Sequence, residues 1–340
     1  MAITIKDVAE KAGVSISTVS KVINHSPTIS NATVERVNAI MRELHYYPNL
    51  RARNFAQQAT RNIAFITMLR KDVAFTNPHM FEIMCGAQRS LSAKDYSLTL
   101  VNAEDDADAI ALIEKIIAQK SADGMIIHSC TIDKKFATTL VRSGFPHILI
   151  GRPEFESQLC WIDSNNYLAG EIAANHLLDI GRRRIAFVGG YESDLISAHR
   201  LSGVQTAFHE KNIEIPPAFI KCGDSTRELS YQLADELLAE PERPDAIICA
   251  NNNIALGVVK ALHQHRIDIP GDIAVITFDD YPYSRIMEPM ATVVNIDVYD
   301  MGIQAGKLLL SKIKTPNLHV QSYTTLPNLI VRESTVKSLE

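Results

Sequence analysis

The sequence predicts an all-α helix-turn-helix headpiece followed by an α/β body of two doubly wound lobes, and three observations carry that expectation. Residues 1–61 hold three short amphipathic segments separated by capping and turn residues. From Ile63 onward, short β-rich runs alternate with helical ones, the rhythm of parallel sheets. The stretch that follows, about 280 residues, exceeds one comfortable hydrophobic core and should divide into two.

In the head, Thr4-Ile5-Lys6-Asp7 reads as a capping box with Asp7 standing in for the longer Glu, and it opens a helix that sets Ile5, Val8, Ala9 and Ala12 on one face. Gly13 ends that helix. Ser15 caps a second helix from Ile16 to about Asn24, with Val19, Val22 and Ile23 inward, and Ser30 caps a third from Asn31 to about Leu44 with Val34, Val37, Ile40, Met41 and Leu44 as its stripe. Two short helices joined by a glycine-bearing turn make a helix-turn-helix. The start of the second helix in such a motif enters the major groove, so Ile16, Ser17 and Lys21 are the candidates for reading base edges. Thr4, Ser15, Thr18, Ser20 and Asn24 are the candidates for holding phosphates. A helical bundle whose Ser/Thr run is merely solvated surface satisfies the same spacing.

Charge is divided unevenly. Eight Lys/Arg against four acids make residues 1–61 +4, which leaves −9 on the rest of a chain whose net charge is −5. A small cationic head on an acidic body suits a head that meets phosphate. The N-terminal residues lack a basic leader followed by an apolar run, and no stretch reaches the roughly 18 apolar residues that a membrane span needs. The expectation is a cytoplasmic protein with no membrane contact. The five cysteines are scattered and odd in number, without CxxC spacing, which points to neither a disulfide framework nor a thiolate metal site.

The runs TIKDVAEKAGVSISTVSKVIN and ISNATVERVNAIMRELHYYPNLRARNF resemble the LacI/GalR headpiece from first helix to hinge. The resemblance implies a sequence-specific DNA-binding transcription regulator with Ile16, Ser17 and Lys21 at the base-reading positions. Lys21 replaces the more frequent Arg; it still reaches guanine O6/N7 but lacks a fixed fork. The implied domains are a headpiece over 1–47, a hinge helix and linker over 48–61, and an effector-binding, dimerising body over 62–340. In the hinge, Asn49, Ala52, Arg53 and Phe55 are expected at the minor groove, Phe55 replacing the family's usual Leu as the apolar wedge that kinks the duplex. The run Leu50–Gln57 is too short to be stable alone, so it should order only when two copies pack together on operator DNA.

In the body the clearest strands are Ile63–Met68, Ser97–Val101, Gly124–His128, His147–Ile150, Ile185–Val188, Ala246–Ala250 and Ala274–Phe278. A ligand cleft is expected at the carboxyl ends of such strands. The runs WIDSNNYLAGEIAANHLLDIGRRRIAFVGG, HRLSGV, PDAIICANNNIALGVVKAL, IPGDIAVITFDD and LPNLIVREST again resemble the family. They imply a periplasmic-binding-protein-like body whose chain crosses between lobes near 160, 290 and 320. They also place Arg200, Asn251 and Asp279 where an effector's hydroxyls are held, with Arg152 alongside and Asn77 on the facing lobe. Paired donors and acceptors of this kind suit a sugar, whose apolar ring face takes an aromatic cover. Phe75, Phe81, Trp161 and Tyr281 are the candidate covers, each of which also fits ordinary core packing. A buried structural ion pair is the alternative role for Arg200 and Asp279.

Three positions depart from the family pattern: Asn252 for a common Asp, Thr277 for Gly, and Gly151-Arg152 for Asp-Arg. Asn252 retains the capacity to cap the helix that follows. Loss of the acid at 151 removes a hydroxyl acceptor and makes room for a larger ligand. The run ILIGRPEFESQLCWIDSNN is similar to maltose-operon repressors, which implies an α-glucoside or maltodextrin effector; a purine, a phosphosugar or a protein co-regulator are the alternatives within the family.

No pattern supports an enzyme, a catalytic residue or a cofactor. There is no G-x-x-x-x-G-K-[ST] loop, no G-x-S-x-G elbow and no H-E-x-x-H helix, and Gly189-Gly190 lacks the third glycine of a dinucleotide site. His209, His263 and His265 lack partners at metal-ligand spacing. A secreted binding protein sharing the cleft would need a leader and no basic head. With no heptad segment after Arg332-Glu333-Ser334-Thr335, a homodimer is expected, and its two heads imply a near-palindromic operator. Effector-driven release from DNA is the family's commoner habit.

Overall fold

The structure, a computed structural model, describes residues 3–24, 26–47, 59–69, 78–128, 132–191, 193–318, 320 and 322–336. The chain separates into two compact units, Met1–Arg61 and Asn62–Glu340.

The first unit holds α1 (Ile5–Ala12), α2 (Ile16–Ile23) and α3 (Asn31–Glu43). Local chemistry starts and stops each helix. The Asp7 carboxylate accepts from the Thr4 backbone N–H at 2.7 Å and from its hydroxyl at 2.8 Å. Gly13 ends α1 at φ +63°, a left-handed conformation that any side chain would strain. Ser15 Oγ accepts from the Thr18 N–H at 3.1 Å and Ser30 Oγ from the Thr33 N–H at 3.4 Å, so α2 and α3 are both capped by serine. Val8, Ala9, Ala12, Val19, Val22 and Val37 form the buried centre, with Ile5, Val34, Ile40, Met41 and Leu44 packed around it.

In the second unit the chain first lays down β1 (Asn62–Thr67), α4 (His79–Ser92), β2 (Ser97–Asn102), α5 (Asp106–Gln119), β3 (Gly124–Ile127), α6 (Lys134–Arg142), β4 (His147–Ile150) and β5 (Trp161–Ser164). It then crosses to a second lobe of α7 (Asn166–Asp179), β6 (Ile185–Gly190), α8 (Leu195–Glu210), β7 (Ile220–Gly223), α9 (Arg227–Ala239), β8 (Ala246–Cys249), α10 (Asn252–Gln264), β9 (Ala274–Phe278), α11 (Pro282–Ile286) and β10 (Thr292–Asn295). It returns with α12 (Val298–Lys314) and β11 (Ser322–Thr325) to the first lobe and ends with β12 (Asn328–Ile330) in the second. The sheets run β11-β5-β4-β3-β1-β2 and β12-β10-β9-β8-β6-β7. Every pairing is parallel except β12 on β10. The three crossings thus lie between Ser164 and Asn166, between Asn295 and Val298, and between Thr325 and Asn328, a few residues beyond where they were expected.

Alternation along the strands decides which helices cover which face. In the first lobe Ala64, Ile66, Met125, Ile127 and Leu149 point to one side, against Ile113 and Ile116 of α5 and Phe136 and Leu140 of α6. Ile63, Phe65, Ile126, Ile148 and Ile162 point to the other, in the same core as Ile83 and Leu91 of α4 and Ala305 and Leu309 of α12. Strands buried on both faces are the signature of a sheet covered by helices on each side, and they read as unbroken apolar runs. Among the described residues no helix is long and apolar enough to cross a membrane.

Candidate functional site

The carboxyl ends of the second lobe's strands gather around one guanidinium. Arg200, on α8, is only 2% exposed. Its Nε donates to Asn166 Oδ1 at 3.0 Å and its Nη1 to the Ala250 carbonyl at 2.5 Å, just past the end of β8. The guanidinium carbon lies 4.1 Å from the Phe278 ring centroid, and Nη2 sits 3.9 Å from Asp279 Oδ2. Burial lowers the pKa of Arg200 while Asp279, Asp194, Tyr281 and Asp163 raise it; a guanidinium stays charged through such opposing effects.

Asp279 follows β9 with φ +70° and is 5% exposed. Burial pushes its carboxyl up to about 6, with Arg200 pulling the other way. Next to it, Asn252 Nδ2 donates to the carbonyls of Phe278 at 2.5 Å and Asp279 at 3.0 Å. The Tyr281 hydroxyl is pushed up by burial and by the Asp279 charge. Three atoms of this stretch, Asp279 Oδ1, Asn252 Oδ1 and Tyr281 OH, are buried without a hydrogen-bond partner. Native interiors rarely leave such groups unpaired, so three together mark a place for a ligand or ordered water.

Asp280 fixes the loop that carries these groups. Its Oδ1 accepts from Arg332 Nη2 at 2.6 Å and its Oδ2 from Arg285 Nη2 at 2.7 Å, while its backbone N–H donates to Asn295 Oδ1 at 3.2 Å. The Arg285 hydrogen bond, then the bond and charge of Arg332, hold this carboxyl at about 2 against its partial burial.

The first lobe presents Asp163, His128 and His79. Asp163 accepts from the Arg152 N–H at 2.9 Å and the Ser164 N–H at 2.7 Å. Burial raises its pKa, and those bonds together with His199 and Arg200 oppose the rise. His128 follows β3, hydrogen-bonds Thr67 Oγ1 through Nδ1 at 3.0 Å, and lies 6.0 Å from the His79 ring centroid. Burial holds His128 at about 4 and His79 at about 3, the latter assisted by the charges of His128 and Arg200. Both imidazoles are therefore neutral at physiological pH. The charge of Arg200 acts on His79 and on Asp163, so groups of both lobes feel the same guanidinium.

The sequence-predicted residues divide accordingly. Arg200 and Asp279 meet. Asn251 lies beside them, but its Oδ1 caps α10 by accepting from the Ile254 N–H at 3.0 Å. That corrects the expectation that Asn252 caps α10: Asn252 is the first helical residue and ties the helix to the end of β9. Arg152 is exposed, 3.7 Å from Glu156 and 5.8 Å from the Trp161 ring centroid, and it reaches the group around Asp163 only through its backbone. Phe81 is half-buried against the core. Asn77, Phe75 and the hinge residues Asn49, Ala52, Arg53 and Phe55 lie outside the described residues. Sequence reasoning missed Asp163, His79 and His128. The signal for Asp163 was an acid within WIDSNN on a strand of alternating burial.

In the head, Ile16 is 44% exposed, and with Ser17, Ser20, Lys21 and Asn24 it occupies the face of α2 opposite Val19 and Val22. Ser15 Oγ lies 2.8 Å from both Ser17 Oγ and Thr18 Oγ1, and Asn24 Nδ2 donates to the Ser20 carbonyl at 2.9 Å. These bonds hold the polar groups on a fixed surface.

Residues 4–49 match the family described as bacterial regulatory proteins, lacI family, and residues 174–335 match the periplasmic binding protein-like domain. The ribose operon repressor of Escherichia coli (strain K12) is 32% identical over 333 residues, 97% of this chain and 99% of that protein. The chain is a LacI-family transcriptional repressor. The repressor is also 30% identical over 342 residues to the HTH-type transcriptional repressor PurR of Haemophilus influenzae (strain PittEE), covering 99% of each. Among solved structures it is similar to a transcriptional regulator CelR–cellobiose complex, at 28% identity, 98% of this chain, 100% of that one and a TM-score of 0.73. It shares the fold of the lac repressor dimer bound to operator and the anti-inducer ONPF, at 23% identity, 99% and 100% coverage and a TM-score of 0.80. The repressor thus joins a DNA-binding helix-turn-helix to a ligand-binding body, and like these relatives it is a regulator and not an enzyme.

Proposed function

We propose that the repressor is a cytoplasmic homodimer that reads a near-palindromic operator and is controlled by a small sugar, an α-glucoside or maltodextrin, held between the lobes of its body. In this reading the division is a headpiece over 1–47, a hinge over 48–61 and the body over 62–340. Ile16, Ser17 and Lys21 read bases; Thr4, Ser15, Thr18, Ser20 and Asn24 hold phosphates; Asn49, Ala52, Arg53 and Phe55 engage the minor groove. Arg200, Asn251 and Asp279 hold the effector from one lobe, with Asn77, Phe81, Arg152 and Trp161 from the other.

The observation that carries the effector assignment is the buried Arg200–Asp279 pair with one carboxylate oxygen unmet. A relative known as a complex with cellobiose, a β-linked glucose disaccharide, supports a glucose disaccharide as effector without bearing on the α linkage. Position 151 is consistent with it: Gly151 has φ +99° and open space within 4 Å of where a side chain would begin. Lobe closure on the effector would alter the spacing of the paired heads. A coupling of about 1–3 kcal/mol corresponds to a roughly 5- to 150-fold change in operator affinity.

The test is fluorescence anisotropy of the full-length protein on duplexes selected from a random library, at several salt concentrations, with and without maltose, maltotriose, cellobiose and ribose. Maltose or maltotriose should change the affinity for the selected duplex by at least about fivefold, and Lys21→Ala should weaken that duplex more than random competitor. Failure to prefer any duplex over random competitor would remove the operator reading. A response to ribose alone would remove the glucoside.

A further inference from the structure

We infer that the cleft selects an uncharged, hydroxyl-rich ligand and rejects the phosphorylated form of the same sugar, with Asp163 a specificity-determining residue alongside Asp279. This rests on the sugar reading above and narrows it. Among the described residues, the buried cation of the site is Arg200. Arg200 has committed Nε to Asn166 and Nη1 to the Ala250 carbonyl, turned its face to Phe278 and left Nη2 beside Asp279. Strong phosphate recognition uses the parallel N–H groups of a free guanidinium fork, and this one has already given Nε and Nη1 to the chain, leaving Nη2, beside a carboxylate, for a ligand. Two of the imidazoles near the site, His79 and His128, are kept neutral by burial, while His199 acts on Asp163.

What surrounds Arg200 is negative. Asp163, Asp194 and Asp279 all act on its charge, and Glu82 adds its field at Tyr281. Among the described residues, a phosphate entering this space meets several carboxylates and one guanidinium that has only Nη2 left to give, and like charges brought together in a desolvated site are strongly disfavoured. The unmet atoms point the same way. Asp279 Oδ1 and Asn252 Oδ1 are acceptors that need donors, and the Tyr281 hydroxyl can give or take one proton. Adjacent hydroxyls of an uncharged sugar supply two donors and an acceptor; a phosphate dianion supplies acceptors alone. The residues that carry the unmet atoms are each more than nine-tenths buried.

Titration calorimetry on the full-length protein tests this with matched pairs: D-glucose against D-glucose 6-phosphate, D-ribose against D-ribose 5-phosphate, and maltose and cellobiose as larger uncharged members. The uncharged member of whichever pair binds should be favoured by about 100-fold or more, and Asp163→Asn should narrow that ratio by about tenfold by removing one like charge. A phosphorylated sugar that binds as tightly as its parent, or a ratio unmoved by Asp163→Asn in a variant that keeps the parental melting temperature, overturns the inference and leaves the sugar reading intact. Absence of binding by every sugar, charged or not, overturns the sugar reading and this inference with it.

Discussion

Asp279 is the residue at which the proposed effector chemistry and proton chemistry meet. Its carboxyl is raised from 3.8 to about 6, chiefly by burial, with Arg200 opposing. Between those two values the folded chain holds a proton that the unfolded chain releases, so on this group's account stability falls as pH rises from about 4 to about 6. Ligand binding should run in the opposite direction. A sugar hydroxyl donating to the unmet Oδ1 stabilises the ionised form, so binding must release whatever proton the free site carries. Affinity should therefore climb with pH through the value near 6, by at most about tenfold per unit, and level off above 7. Calorimetry from pH 5 to 7.5 in two buffers of different ionisation heat would detect the released proton. A flat profile in the native protein, or one unchanged in Asp279→Asn, would separate the carboxylate from binding. The clamped neighbour Asp280, held at about 2, cannot supply this dependence in the same window.

At the scale of elements, α7 and α8 carry Asn166 and Arg200 toward the cleft, and two glycines set their separation. A methyl group on Gly170 would strike the Arg200 carbonyl, and one on Gly203 would strike the Tyr167 carbonyl, both well inside any non-bonded contact. The two backbones therefore touch directly, and Gly170→Ala should force the helices apart at the very residue that supports the guanidinium. Overpacking of this kind costs about 1–3 kcal/mol, which for a body of this size is a fall of roughly 3–10 °C in melting temperature. Sugar affinity should drop along with it, because the Arg200 bonds to Asn166 and Ala250 depend on the spacing. Scanning calorimetry and sugar titration on the same sample check both halves; a variant with native melting and native affinity would refute the close approach. How much of this was legible in the sequence follows from how local each cause is. The head helices were legible because Thr4, Gly13, Ser15 and Ser30 act within one turn. The seven strands named from sequence are central runs buried on both faces, save Ser97–Val101, the edge strand β2. The strands β5, β7, β10, β11 and β12 were not legible: β11, with burial that barely alternates, is a strand only because β5 lies beside it, a partner some 160 residues away in the chain. Arg200 and Asp279 were reachable through motif resemblance, whereas the influence of the Arg200 charge on Asp163 exists only once the chain has crossed between lobes.

For the whole molecule, the distribution of buried imidazoles makes one lobe sensitive to acid. His79 on α4, His128 after β3 and His147 on β4 all belong to the first lobe, and burial holds them at about 3, 4 and 4. His147 also illustrates why protonation is resisted: its Nδ1 bonds the Phe145 carbonyl at 2.8 Å, and its buried Nε2 has no partner to share a second proton. The unfolded chain takes up protons on all three below 6.5 while the folded chain does not, so the stability they confer is complete above 6.5 and is lost as pH falls toward 4. Asp279 works against this with a single proton in part of the same range. These three imidazoles against the Asp279 carboxyl leave a net loss of roughly 2–3 kcal/mol per pH unit near pH 5, to which the raised Asp163 is opposed and the lowered His176 adds. The reporter is built in, since the chain's one tryptophan, Trp161, begins β5 in that lobe and packs against its core. Urea unfolding followed by Trp161 emission at pH 7.5, 6 and 5 should show the midpoint moving steadily down, and His147→Asn should reduce the shift by about a third of the imidazole contribution, one proton of three. Midpoints that hold constant from pH 7.5 to 5 would mean that the folded lobe accommodates charged imidazoles, and with them a cationic cleft facing Arg200.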